Sequence, residues 1–226
     1  AKVHYNKGIA LADLGRHKEA IVSYDKAIEV VPDYAKAFYN KGISLYDLGR
    51  YDEALSAFGK ANEIDPSDMW VWYYRSFILA KQEKNEEAVR SADVFLASEP
   101  SHADIWTLKG ISQYKTGHAE ESVASLKQAL ELNPEIADAW FYLGLAYNQL
   151  ADYPDAVDTF TKNLDLNPSS APAFYHRGIA NLRQKKYRDA IPDLEKTLQL
   201  SPENGDAWYK LGVARIYLSK YEDALE

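Results

Sequence analysis

The sequence has no cysteine and a single methionine. Disulfides, thiolate nucleophiles and cysteine-based metal sites are therefore excluded, and redox chemistry gives no clue to the compartment. There is no apolar run of 18 residues, so no segment reads as a membrane-spanning helix and no membrane insertion is expected. Positive charge is in deficit: 26 Lys and Arg against 34 Asp and Glu give a net charge of -8. That balance argues against a nucleic-acid partner, because phosphate neutralisation needs clustered cations. Neither a Gly-rich phosphate loop nor a nucleophile elbow occurs. The five histidines, His4, His17, His102, His118 and His176, never fall three or four residues apart, so no helix face offers a pair of metal ligands. Carboxylate pairs such as Asp52-Glu53, Glu86-Glu87 and Glu120-Glu121 sit where second helices begin, and there they complement the helix dipole. The expectation is a chain that is not an enzyme and carries no cofactor and no metal.

What is present is a ruler. Pro32, Pro66, Pro100, Pro134, Pro168 and Pro202 stand 34 residues apart. Counting from Ala1 gives units 1–34, 35–68, 69–102, 103–136, 137–170 and 171–204, and a partial unit 205–226. Position 4 is aromatic in six of the seven (Phe38, Trp72, Trp106, Trp140, Phe174, Trp208), with His4 the exception. Position 8 is glycine except for Ser76, and position 20 is alanine except for Ser122. Positions 4, 8 and 11 recur at helical spacing, as do 20, 21, 24 and 28, so each unit predicts two amphipathic helices. A break such as Asp13-Leu14-Gly15-Arg16 separates them. Small residues at positions 8 and 20 let the two helices approach closely, and the proline ends the second one. Aromatics at position 4, such as Trp106 and Trp140, are expected in the core, each contributing roughly 1.5–3 kcal/mol.

The period, with its aromatic, Gly, Ala and Pro marks, resembles the tetratricopeptide repeat family over the whole chain. The resemblance implies an all-α, right-handed superhelical α-solenoid of stacked helical hairpins, here one continuous array. It also implies a non-catalytic scaffold whose first helices line a groove for a peptide or partner protein. Because the array opens on Ala1 at the start of a unit and closes inside a helix, it reads as a fragment of a longer chain. The competing expectation is self-association through an uncapped C-terminal edge, since solenoid ends need covering. A third is a positioning arm for an enzyme domain beyond Glu226.

On the first helix, positions 2, 5, 6, 9, 12 and 13 share one sector. Position 5 supplies Tyr5, Tyr39, Tyr73, Phe141, Tyr175 and Tyr209, with Thr107 breaking the row. Position 6 supplies Asn6, Asn40, Tyr74, Tyr142 and His176, and position 12 adds Tyr46 and Tyr114. Tyrosine offers large contact area at low entropy cost, which suits a binding face. The same residue types are common in such arrays as packing choices, so position 6 reads equally as either. The third unit departs most: Ala92 stands where an aromatic is expected, Phe95 where alanine is, and Ser76 where glycine is. Its Trp70, Tyr73 and Tyr74 fall in the groove sector, either as a hot spot or as a local repacking around the swapped pair. Position 7 carries Lys7, Lys41, Arg75, Lys109 and Arg177 on the opposite side, where long basic side chains can bury their stems. The carboxylate clamp of chaperone-binding members finds only Asn40 in place, with Tyr5, Ile9, Trp70 and Tyr74 at its other positions. The asparagine ladder of arrays attached to sugar-transferring enzymes stops after Asn6 and Asn40.

Overall fold

The computed structural model describes residues 1–223, and side chains through residue 219. All regular structure in this span is helical: α1 Lys2–Asp13, α2 His17–Val30, α3 Ala35–Asp47, α4 Tyr51–Ile64, α5 Trp70–Lys81, α6 Asn85–Ser98, α7 Ala103–Lys115, α8 Ala119–Leu132, α9 Ala137–Gln149, α10 Tyr153–Leu166, α11 Ala171–Arg183, α12 Tyr187–Leu200 and α13 Gly205–Asp223. Two helices per 34-residue unit were expected, and α1 to α12 form six such pairs. Ala224, at the seventh unit's position 20, and the rest of the terminal edge lie outside the described residues.

The chain divides into two compact units, Ala1–Pro100 and Ser101–Glu226. The first holds the hairpins α1/α2, α3/α4 and α5/α6, with α2 packed on α3 and α4 on α5. The second holds α7/α8, α9/α10 and α11/α12, stacked in the same way and continued by α13. Within each unit a first helix touches its own partner, the second helix before it and the first helix of the next hairpin.

Local sequence explains where the helices stop. Position 15 takes left-handed backbone in all six hairpin turns: Gly15 (φ 73°), Gly49 (72°) and Gly117 (85°), but also Glu83 (59°), Ala151 (60°) and Lys185 (61°). This geometry lets the next amide N–H bond back across the helix end, as from Arg16 to the Leu11 carbonyl at 2.8 Å and from Lys186 to that of Asn181 at 2.9 Å. At the other end, the residue before each repeat proline is extended or nearly so, for example Val31 (φ -135°, ψ 95°) and Asn133 (φ -148°, ψ 100°). Pro154 stands in the first turn of α10, whereas α12 runs on through Pro192 to Leu200.

The core is built on a trio at positions 8, 24 and 27. Tyr24, Phe58, Phe160, Leu126 and Leu194 at position 24 are essentially fully buried. Each faces the glycine at position 8 of its own hairpin: a methyl group added at Gly42 would come within 2.7 Å of the Phe58 ring, and one at Gly144 within 2.7 Å of Phe160. At position 27, Ala27, Ala61 and Ala129 are buried as well. In the third hairpin the volumes move round: Ser76 and Ala92 take positions 8 and 24, and Phe95 at position 27 is fully buried. In the fourth, Ser122 at position 20 donates its hydroxyl to the Gly110 carbonyl at 2.8 Å and ties α8 to α7.

The position 4 aromatics are not in this core, contrary to expectation. Phe38, Trp72, Trp106, Trp140 and Phe174 are only partly buried, and Trp208 is 55% exposed. Besides positions 8 and 11, the inward positions on the first helices are 3 and 10, where Ala37, Val71, Ile105, Ala139, Ala173 and Ala207, and Ser44, Ile78, Ser112, Ala146, Ala180 and Ala214, are buried. Val3, at position 3 of the first hairpin, is 80% exposed. Each aromatic at position 4 lies next to this seam and is held at its rim. The Trp140 and Trp208 indoles donate to the carbonyls of Pro134 and Pro202 at 2.8 and 2.9 Å.

Candidate functional site

The tyrosine rows occupy first helices, so their spacing is set by the hairpin stack. In the first unit, Tyr5 and Asn6 stand on α1, Tyr39, Asn40 and Tyr46 on α3, and Trp70, Tyr73 and Tyr74 on α5. Asn40 donates its side-chain amide to the Tyr5 hydroxyl at 2.8 Å, linking neighbouring hairpins. Tyr74 stacks on the buried Phe58 (centroids 5.3 Å, planes 12° apart), with Tyr39 at 6.1 Å, Tyr46 at 5.6 Å and Tyr73 at 5.4 Å around it. Trp70 and Tyr73 lie against Phe95 at 5.4 and 5.3 Å. Trp70 keeps 42% of its surface exposed, whereas Asn6 is exposed outright.

The second unit repeats the arrangement with a different residue at its centre. His176 stacks on Phe160 (5.9 Å, 18°), and Phe141 and Tyr175 approach its ring edge-on at 6.0 and 5.2 Å. Tyr142 meets Tyr114 at 5.7 Å and Phe141 at 5.6 Å. Tyr209 stands apart, 65% exposed, with Lys210 over its ring at 5.2 Å. Position 6 is thus a joint: Tyr74 and His176 plug the space between consecutive hairpins against the position 24 ring of the preceding one. Phe58, Phe95 and Phe160, which support the rows, belong to second helices, and only the size pattern at positions 24 and 27 points to them.

Burial holds the hydroxyls of Tyr5, Tyr39, Tyr46, Tyr74, Tyr114 and Tyr175 above the ordinary phenol range, so they remain neutral donors and acceptors. Burial lowers His176, whose imidazole is therefore neutral at neutral pH. Beside His176 and Tyr175 a depression of about 560 Å³ opens between α11 and α13. Its lining includes Ile179, Leu182, Tyr187, Val213 and Tyr217, with the cations Arg183, Lys185 and Lys210. Tyr187 and Tyr217 stack there at 5.4 Å. Lys185 and Tyr187 come from the turn and the second helix, outside any first-helix sector.

The basic row at position 7 lies on the other side of the first helices, and Lys41, Arg75, Lys109 and Arg177 are engaged there. Lys41 bonds Asp25 at 2.6 Å. Arg177 forks onto the buried Asp193 at 2.9 and 2.7 Å and reaches the Thr161 hydroxyl at 3.0 Å. Arg75, Lys109 and Arg177 also cover the position 4 rings Trp72, Trp106 and Phe174 at 5.0, 4.9 and 5.6 Å. The row is structural, as its place beside positions 4 and 11 predicts. Among the described residues no group of three or more acidic, histidine or cysteine side chains could hold a metal ion, and no helix is long and apolar enough to cross a membrane.

Comparison with known proteins matches this architecture. A tetratricopeptide repeat model covers residues 107–171 and 175–226, more than half of the chain, and two others of the same kind cover 8–49 and 35–68. No protein of curated function matches the sequence significantly. Among solved structures, YrrB, a TPR protein with an unusual peptide-binding site, is similar at a TM-score of 0.75 and 23% identity, covering 82% of this chain and 96% of YrrB. MamA from Desulfovibrio magneticus RS-1 is similar at 0.69 and 23%, covering 75% and 96%. A chain of the APC/C hetero-tetramer Cut9-Hcn1 gives 0.63 and 21% over 93% of this chain and 42% of its own. At such identities the likeness concerns the fold. With a family model matched over more than half its length and six helical pairs in the family's period, the chain belongs to the tetratricopeptide repeat family.

Proposed function

We propose that the chain is a non-catalytic scaffold that binds an extended segment of a partner protein along its aromatic first-helix face. The observation that carries this reading is the depression beside Tyr175 and His176, where tyrosines and apolar side chains meet three cations. Neutral hydroxyls suit a peptide backbone, and Arg183, Lys185 and Lys210 favour a segment with an acidic residue. Rings already packed against Phe160 or Phe95 lose little freedom on binding, which favours affinity. YrrB's peptide-binding site is a supporting precedent on a similar fold.

Selection of displayed peptides on the intact chain tests this. Peptides that bind should lose roughly tenfold in affinity when Tyr175 and Tyr187 are both changed to alanine. The melting temperature should shift by only a few degrees. Selected peptides indifferent to those changes, and to Tyr39→Ala and Trp70→Ala, would remove the reading.

A second reading is self-association, favoured by one observation: α13 exposes Trp208, Tyr209, Ile216 and Tyr217. Light scattering should then show mass rising with concentration, and Ile216→Lys should return the chain to monomer. A strict monomer at high concentration excludes it in solution.

A further inference from the structure

The position 7 row is interrupted at Leu143 and Leu211, and the interruption at Leu143 opens into a cavity. In the fifth hairpin Leu143 replaces the basic residue, and a depression of about 380 Å³ lies beside it. Its apolar lining is Leu130, Leu143, Trp140 and Tyr147; Glu131, Asp155, Asp158, Lys127 and Thr159, the last at the place Asp193 holds in the sixth hairpin, complete it. Trp140 is fixed there by its indole bond to the Pro134 carbonyl at 2.8 Å. Three carboxylates thus face one cation. Lys127 lies over the Tyr147 ring at 5.6 Å, and Tyr147 and Asp155 both favour its charge.

The hairpins on the same face show what such a slot holds when it is filled. In the sixth, the chain's own Arg177 lays its guanidinium 5.6 Å from the centre of the Phe174 ring and pairs with Asp193. In the fourth, Lys109 sits 4.9 Å from the Trp106 ring. An aliphatic stem over apolar surface, a cation on an aromatic face and a carboxylate at the rim are what an arginine or lysine side chain needs.

We propose that the Trp140–Leu143 cavity is a second binding site, on the face opposite the tyrosine row, that accepts an arginine or lysine side chain of a partner protein. The incoming cation occupies the place that position 7 fills in the neighbouring hairpins, with Asp155 and Asp158 as its counter-charges. The site does not depend on the aromatic first-helix face, so a partner can engage either alone.

The probes are N-acetyl-arginine methylamide and its neutral isostere N-acetyl-citrulline methylamide, titrated into the isotopically labelled intact chain. The Trp140 indole N–H resonance, assigned by its loss in Trp140→Phe, should shift with the arginine probe and not with citrulline. Changing Asp155 and Asp158 together to asparagine should weaken the arginine titration about fivefold, as loss of exposed ion pairs implies. Leu143→Arg should abolish it by filling the slot from within; should that variant fail to fold, the asparagine pair still decides. Equal shifts from both probes, arginine shifts confined to resonances other than Trp140, or an unchanged titration in the asparagine pair would each overturn the proposal.

Discussion

The second and third hairpins solve one packing problem in opposite ways. In α3/α4 the close approach is made by Gly42, the space above it is filled by Phe58, and Ala61 lets the next hairpin in. In α5/α6 the crossing holds Ser76 against Ala92, and the ring has moved one turn along to Phe95, where Trp70 and Tyr73 lie on it. Both cores are sealed. What the hairpin requires is the summed volume at positions 8, 24 and 27, since interiors close-pack whichever side chain brings the atoms. The motif residue at any one of the three is replaceable if the others compensate.

The largest break in this comparison comes from removing the ring. Phe58→Ala and Phe95→Ala should each destabilise the first unit by about 3–5 kcal/mol, despite their different motif positions. Urea unfolding followed by circular dichroism measures the loss. A small effect at Phe95 would mean that its hairpin is loosely packed and that the volume argument fails.

Exchange of small residues sharpens the contrast. Gly42→Ser forces a Cβ to within 2.7 Å of the Phe58 ring and should cost about 1–3 kcal/mol by overpacking. Ser76→Gly should cost about 1 kcal/mol, the price of a helical glycine, and it also removes a hydroxyl bonded to the Tyr73 carbonyl at 2.7 Å. Rebuilding the third hairpin as Ser76→Gly, Ala92→Phe and Phe95→Ala together should recover much of what Phe95→Ala alone loses. Failure of the triple variant to recover would show that Trp70 and Tyr73 require the ring at position 27.

Much of this was legible in the sequence because the period multiplies every signal. The hairpins, their ends at the prolines and the anomaly of the third unit follow from residues whose chemistry is conspicuous. The buried seam at positions 3 and 10 was not, because Ala37, Ser44, Ala139 and Ala173 are small and look indifferent until another helix is laid on them. Tryptophan misled in the other direction: Trp106 and Trp140 have the size of core residues, yet each is held at a rim by a polar or cationic neighbour. Groove sector and joint could not be separated at position 6, because the rings that receive Tyr74 and His176 lie on helices of the preceding hairpin.

A finer comparison lies in the turns. Gly49 and Lys185 hold the same left-handed backbone at position 15, at φ 72° and 61°. Glycine accepts it without strain, whereas lysine must be forced there. Lys185→Gly should therefore stabilise the second unit by about 0.5–1 kcal/mol, and Gly49→Ala should destabilise the first by about 1 kcal/mol. Amide exchange in α11 and α3 reports each locally. Equal and opposite results at the two turns would confirm that the backbone, rather than the side chain's contacts, sets the preference.

The smallest effect is a slope, and it separates the two stacked joints. Tyr74 on Phe58 and His176 on Phe160 occupy the same place in their hairpins, but only the second carries a group whose ordinary pKa, 6.5, lies near neutrality. Burial lowers the folded-state pKa of His176 below its ordinary value of 6.5. The rings packed on it are those of Phe141, Phe160 and Tyr175, none of which is charged at that pH, and the cations Arg183, Lys185 and Lys210 share the depression it lines. Between the lowered value and 6.5 the unfolded chain binds more protons than the folded one, so stability rises with pH across that window. It is fully present above 6.5 and is lost as the pH falls towards the folded value. Substituting His176→Phe should flatten this part of the profile. The difference between the two urea-unfolding profiles isolates the joint: a profile that does not flatten means that protonated His176 keeps its place on Phe160, and that the joint tolerates a charge.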